Sequence, residues 1–262
     1  MAVIPRLRRR RRRDPAGNMT LIEHLGELRA RLLVSVVAVL VGTIGGWFLF
    51  GPVFSVLKHP YCAALKAHPT LNPFAGGRCV LAFQGVTEPF LLKLKIATFT
   101  GFVFALPVVL YEVWRFITPG LTSRERKFAL PFVLSSLVLF AMGTWFAFFT
   151  LPKGLNFLLG FAGTRDVVSL LTITKYVNFV VFLIIAFGVS FEFPLMLISL
   201  TAVGVLSSAK LREWRRYAIV GIAIFAAVIT PSQDWFTMSA MMLPLIVFYE
   251  LSILVSRLLL KR

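Results

Sequence analysis

Three groups of residues in this chain sit where they could do chemistry. Glu192 lies inside a long apolar run, in Phe187-Gly188-Val189-Ser190-Phe191-Glu192-Phe193-Pro194. An ionisable group in hydrocarbon is costly, so it should face a bundle interior or a partner helix. It could contact another membrane helix or hold a proton. The structural alternative is a carboxyl bonded to carbonyls that Pro194 frees. Glu27 lies in Thr20-Leu21-Ile22-Glu23-His24-Leu25-Gly26-Glu27-Leu28-Arg29-Ala30-Arg31. Thr20 and Glu23 form a capping box, and leucines at 21, 25, 28 and 32 line one helix face. Glu27 and Arg31, four apart with the acid first, make a favourable surface pair. The functional alternative for Glu27 is a carboxylate on a rigid helix, open to a cationic ligand. Cys62 and Cys79 share one inter-span loop. On an oxidising side of a membrane they are expected to form a disulfide worth roughly 3 kcal/mol, with two unpaired thiols as the alternative.

Other charged residues read first as structural. Thr122 to Glu125 is a second capping box, after the turn signal Thr118-Pro119-Gly120. The helix dipole also favours a carboxylate in that first turn. Asp234, after Thr230-Pro231-Ser232-Gln233, suits a helix cap. Glu88 in Thr87-Glu88-Pro89-Phe90 opens a helix in the same way. Glu250 and Arg257 suit interface anchors near a helix end. Enzyme signatures are missing: there is no His-Glu-x-x-His and no Gly-Lys-Ser/Thr phosphate loop. Gly188-Val189-Ser190 lacks the second glycine of a nucleophile elbow. His24, His59 and His68 are the three histidines, and none lies within an apolar span. No metal site and no cofactor are expected.

The elements that must position these residues follow from composition. Of 262 residues, 58% are apolar, and the mean hydropathy is +0.84. A soluble domain is nearer 45–50% apolar, so the chain belongs to the membrane class. Six apolar segments stand out, at about 32–50, 96–117, 128–151, 176–205, 217–229 and 235–249. About 20 helical residues cross a core of ~30 Å, so the last two segments are short. Pro194 predicts a kink in the fourth segment. Pro60, Pro69 and Pro73 predict that any helix in the first loop is brief.

Net charge is +17, from 28 Lys and Arg against 11 Asp and Glu. The apolar runs set these charges between membrane spans and leave no case for nucleic acid. Nine basic residues precede the first span, four follow the second, four follow the fourth and three lie at the C-terminal end. Those twenty share one side of a six-span bundle, and eight fall on the other. The positive-inside rule then places both termini in the cytoplasm. Residues 1–18, with six consecutive arginines from Arg8 to Arg13, read as a disordered basic cytosolic arm that can touch anionic lipid. Met19 offers an alternative start. The membrane domain is expected over 19–257, with a short cytosolic tail over 258–262.

Several segments together resemble the twin-arginine protein translocase subunit TatC family. His24-Leu25-Gly26-Glu27-Leu28-Arg29 is similar to that family's cytosolic start. Tyr111-Glu112-Val113-Trp114-Arg115-Phe116-Ile117-Thr118-Pro119-Gly120-Leu121, then Glu125-Arg126, is similar to its first cytosolic loop. The run Phe187 to Pro194 resembles its fourth span, and Thr230 to Asp234 its last outer loop. The match runs in order over about 19–257, and the arginine-rich arm lies outside it.

The resemblance implies an all-α, concave, glove-like bundle of six transmembrane helices, N-in and C-in, with short fifth and sixth helices. It implies a non-enzymatic translocase core that binds the twin-arginine signals of folded cargo, powered by the proton-motive force. Glu27 and Glu125 would contact the signal, with Arg29 and Phe116 shaping the site. Fixed carboxylates suit guanidinium groups through bidentate hydrogen bonds that lysine cannot make. Glu192 would face single-span TatA/TatB-type partners in the bilayer, within a complex holding several copies of the chain. Pro60 and Asp234 fall on outer-loop positions that matter in the family. Where many members carry a Ser-Gln pair early in the sixth helix, this chain has Thr237-Met238. Without the resemblance, the competing class is a small secondary transporter with Glu192 as coupling carboxylate, built on paired interrupted helices.

Overall fold

The computed structural model describes residues 21–67, 79, 81–117, 129–160, 172–202, 204–230 and 234–259. The arm over 1–18, Glu125 with its capping box, and the turn at 118–120 lie outside these residues. The described chain is helical: α1 Leu21–Phe48, α2 Phe50–Ala67, α3 Glu88–Ile117, α4 Ala129–Gly160, α5 Ile173–Phe191, α6 Phe193–Ala202, α7 Ser208–Glu213, α8 Arg215–Ile229 and α9 Trp235–Leu259. The one backbone bridge outside helices among these residues joins Ala82 to Thr172, with Ile173 N–H donating to the Ala82 carbonyl at 3.0 Å.

Five stretches are long and apolar enough to cross a membrane: Ile22–Phe48, Glu88–Phe116, Leu130–Leu158, Ile173–Ala202 and Trp235–Leu258. Only 6% of the α1 window is buried in the protein. Leu33, Val37, Leu40, Val41 and Ile44 of α1 are exposed. Such a surface would drive association in water and is what lipid-facing helices require. The chain is a multi-pass membrane protein. The fifth apolar segment forms α8, whose 15 residues cover about 22 Å against a core of ~30 Å.

Two expectations are corrected. The sixth segment is not short, since α9 runs for 25 residues. Glu250 ended the apolar count in the sequence but does not end the helix. It is half-exposed and paired with Arg215, and buried Ser252, Ile253 and Ser256 continue the inward face beyond it. The first loop does not hold only a brief helix either, because α2 spans 18 residues with Pro60 inside. Its Leu57, Tyr61 and Ala64 are buried in the main core. Burial of this face, with the Tyr176 hydroxyl bonded to Leu57 and Tyr61, holds the helix against the core through the proline.

α5 is the central helix. Tyr176, Val177, Val180, Leu183, Ile184 and Phe187 are buried against α2, α3, α4 and α9. Two close backbone approaches set the packing. A Cβ on Gly42 of α1 would lie 2.6 Å from the Gly101 carbonyl of α3, and one on Gly143 of α4 would lie 2.6 Å from the Phe187 carbonyl of α5. Small residues let helices meet in a bilayer, where no hydrophobic force drives them together. The kink expected from Pro194 is present as the break between α5 and α6 at Glu192. Glu192 N–H bonds to Val189 at 3.1 Å and the Glu192 carbonyl accepts from Met196 at 3.0 Å.

Candidate functional site

The seam between α1 and α3 carries a buried charge network. Arg31 of α1 lies between two carboxylates, in direct contact with Glu27 one turn earlier and 3.3 Å from Glu112 of α3. Arg115 reaches Glu112 from the next turn at 3.9 Å. The Arg31 and Glu112 side chains are only 12% and 10% exposed, so solvent screens them weakly. Satisfaction is incomplete: Glu27 Oε2 and Arg31 Nε are buried with no hydrogen-bond partner in the structure. One turn away, His24 stacks on Phe116 with ring centres 4.3 Å apart and planes at 17°. The seam thus offers an incompletely paired carboxylate beside an aromatic pair, a combination suited to a planar cation.

Of the residues singled out in the sequence, the structure brings Glu27 and Phe116 to this seam. Arg29 is exposed and sits about 200° around the helix from Glu27. Glu125 lies outside the described residues. Glu112 was not singled out. Its partner Arg31 is 81 residues away, so no local spacing signals the pair. In the sequence His24 stands only within the motif at 24–29, and Arg31 only as the helical partner of Glu27.

A second region surrounds Glu192. Its carboxyl is hydrogen-bonded to Ser136 of α4, whose Oγ also accepts the Trp114 indole N–H at 3.2 Å. The other oxygen, Oε1, is buried with no partner. Glu192 lines a largely apolar cavity of about 570 Å³ between α3, α6 and α8, with Trp114, Met196, Ile222 and Phe225 on its walls. A half-buried acid at the broken point of a span, open to a cavity, can receive a donor from another helix.

The remaining candidates sit in structural settings. Asp234 caps α9, accepting Thr237 N–H at 2.8 Å and the Thr237 hydroxyl. Pro60 is buried within α2. Cys62 and Cys79 form a disulfide with Cα atoms 5.5 Å apart. No group of three or more His, Cys, Asp or Glu suited to a metal occurs among the described residues.

Comparison with known proteins agrees over most of the chain. The family model described as Sec-independent protein translocase protein (TatC) matches residues 23–244. A Sec-independent protein translocase protein TatC of Frankia casuarinae is 44% identical over 250 residues, covering 94% of this chain and 68% of that protein. The corresponding Aquifex aeolicus protein is 38% identical over 242 residues, covering 92% and 95%. A solved structure described as the twin arginine translocase receptor TatC in DDM superposes with a TM-score of 0.74 at 38% identity, covering 90% of this chain and all of that one. The match takes in α1, α3 and the Glu192 region; the chain belongs to the TatC family of Sec-independent protein translocase proteins, components of protein transport.

Proposed function

We propose that this chain is the core subunit of a twin-arginine protein translocase and that the α1–α3 seam receives the twin-arginine signal of folded cargo. The observation that carries this is Glu27, held by Arg31 through one oxygen while the other is buried and unpartnered. A guanidinium donates two parallel N–H bonds, which matches a carboxylate better than an ammonium does. Glu125, which follows α3 in the sequence, is assigned the second carboxylate. Phe116 and His24 flank the site, and Arg29 contributes at its rim.

In this reading the chain spans the cytoplasmic membrane six times, with α8 as a short span and both termini in the cytoplasm. Twenty of 28 basic residues then lie inside, as the positive-inside rule favours. Residues 1–18 are a cytosolic basic arm. The Glu192 cavity receives single-span TatA/TatB-type partners, several copies of the chain assemble in the complex, and the proton-motive force drives export. Pro60 and Asp234 act from the outer loops. Family membership speaks against the secondary transporter reading of Glu192. In cells lacking their own copy, Glu27→Ala and Glu125→Ala are expected to abolish export of twin-arginine substrates while the protein stays inserted. Unchanged export would overturn the site assignment.

A further inference from the structure

The network at the α1–α3 seam is paired in an unusual way. Arg31 has a guanidinium able to fork onto one carboxylate through two parallel bonds, the strongest arrangement available to it. Instead it is split. One Nη contacts Glu27 and the other lies 3.3 Å from Glu112. Neither carboxylate receives a full fork, and the price is visible: Glu27 Oε2 and Arg31 Nε are both buried without partners. Leaving a buried charged group half-paired is unfavourable. Arg115 contributes a second, longer contact to Glu112, so Glu112 stays paired whether or not Arg31 is fully on it.

We propose that Arg31 is a displaceable placeholder on Glu27 and that Glu112 is the positioning carboxylate that takes Arg31 up when a guanidinium arrives. This rests on the signal-binding reading of Glu27. The incoming fork occupies both Glu27 oxygens, and Arg31 withdraws onto Glu112. Two half-satisfied pairs become two full pairs. An ammonium has no planar fork and fills one Glu27 oxygen, so it gains too little to release Arg31. The placeholder therefore sharpens the choice of arginine over lysine. It also keeps the site electrically closed to other cations when empty.

The test is a double-mutant cycle on the purified full-length chain in detergent. Binding of a fluorescent twin-arginine signal peptide is measured against its twin-lysine form. Glu112→Gln removes the receiving carboxylate, so Arg31 clings to Glu27 and binding weakens by about tenfold. Adding Arg31→Gln removes the placeholder and restores total charge. The double variant is expected to bind at least as tightly as the original chain. Glu23→Gln, an equal charge change on the exposed side of α1, is expected to leave the arginine preference in place. Arg31→Lys keeps the charge without the fork and is expected to bind the peptide more tightly, which supplies a second reading if Glu112→Gln is not monodisperse. A merely structural network predicts the reverse for Arg31→Lys and no recovery in the double variant. Either of those results, or unchanged binding in Glu112→Gln, would overturn the proposal while leaving the arginine preference intact. Equal binding of the two peptides by the original chain would overturn the signal-binding reading and this proposal with it.

Discussion

The Tyr176 hydroxyl of α5 donates to the Leu57 carbonyl of α2 at 2.8 Å and accepts the Tyr61 N–H at 3.2 Å. Those two backbone groups are four residues apart, one helical turn along α2. Pro60 lies between them, and it offers no N–H to the carbonyl four residues earlier, that of Val56. The Tyr176 hydroxyl thus bonds to buried backbone on either side of the proline and joins α2 to the central helix.

Tyr176→Phe is expected to destabilise the folded protein by about 1–2 kcal/mol, through loss of the two buried hydrogen bonds that tie α2 to α5. The loss is read as a lower midpoint of thermal unfolding in detergent. An unchanged midpoint would mean that the hydroxyl does not help to hold α2 on α5.

Gly101→Leu is expected to open the α1–α3 seam. Any Cβ there falls 2.7 Å from the carbonyl carbon of Gly42, and backbone cannot yield as a flexible side chain can. Opening the seam separates Glu27 and Arg31 from Glu112, so signal-peptide binding falls together with stability. Gly45→Ala on α1 meets nothing within 4 Å, and both properties are expected to persist in it. Equal behaviour of the two variants would contradict this packing account.

Cys62 and Cys79 are expected to resist thiol labelling in membranes until a reductant is added. The bridge closes a loop with a sequence separation of 17, so its loss is expected to cost about 3 kcal/mol. Labelling without reductant would show that the bridge does not form in the cell.

Glu192→Gln is expected to spare signal-peptide binding and to impair co-purification of single-span partners and transport. The carboxyl lines the cavity between α3, α6 and α8, apart from the Glu27 network. Loss of signal binding in this variant would contradict the separation of the two sites.

Much of this architecture was legible in the sequence, for physical reasons that also explain the misses. Apolar runs of membrane length announce helices because lipid leaves backbone no other partner, and Pro194 marked the break at Glu192. The length of α2 was hidden because Pro60 argues against a helix, and the burial that sustains it comes from packing on distant helices. The length of α9 was hidden because Glu250 is charged, although its pairing with Arg215 leaves the helix face intact. At the site, the spacing showed the Glu27–Arg31 pair, and only the resemblance to the TatC family made Glu27 a signal contact. Glu112 was not visible, because its partner lies on another helix and only packing through Gly42 and Gly101 brings the two together.

The central claim is that Glu27 reads a guanidinium. The most direct measurement is binding of a twin-arginine signal peptide and its twin-lysine counterpart to the purified chain, with and without Glu27→Gln. A clear arginine preference that disappears in Glu27→Gln is the expected result. Equal binding of both peptides, or a preference that survives in Glu27→Gln, would contradict it.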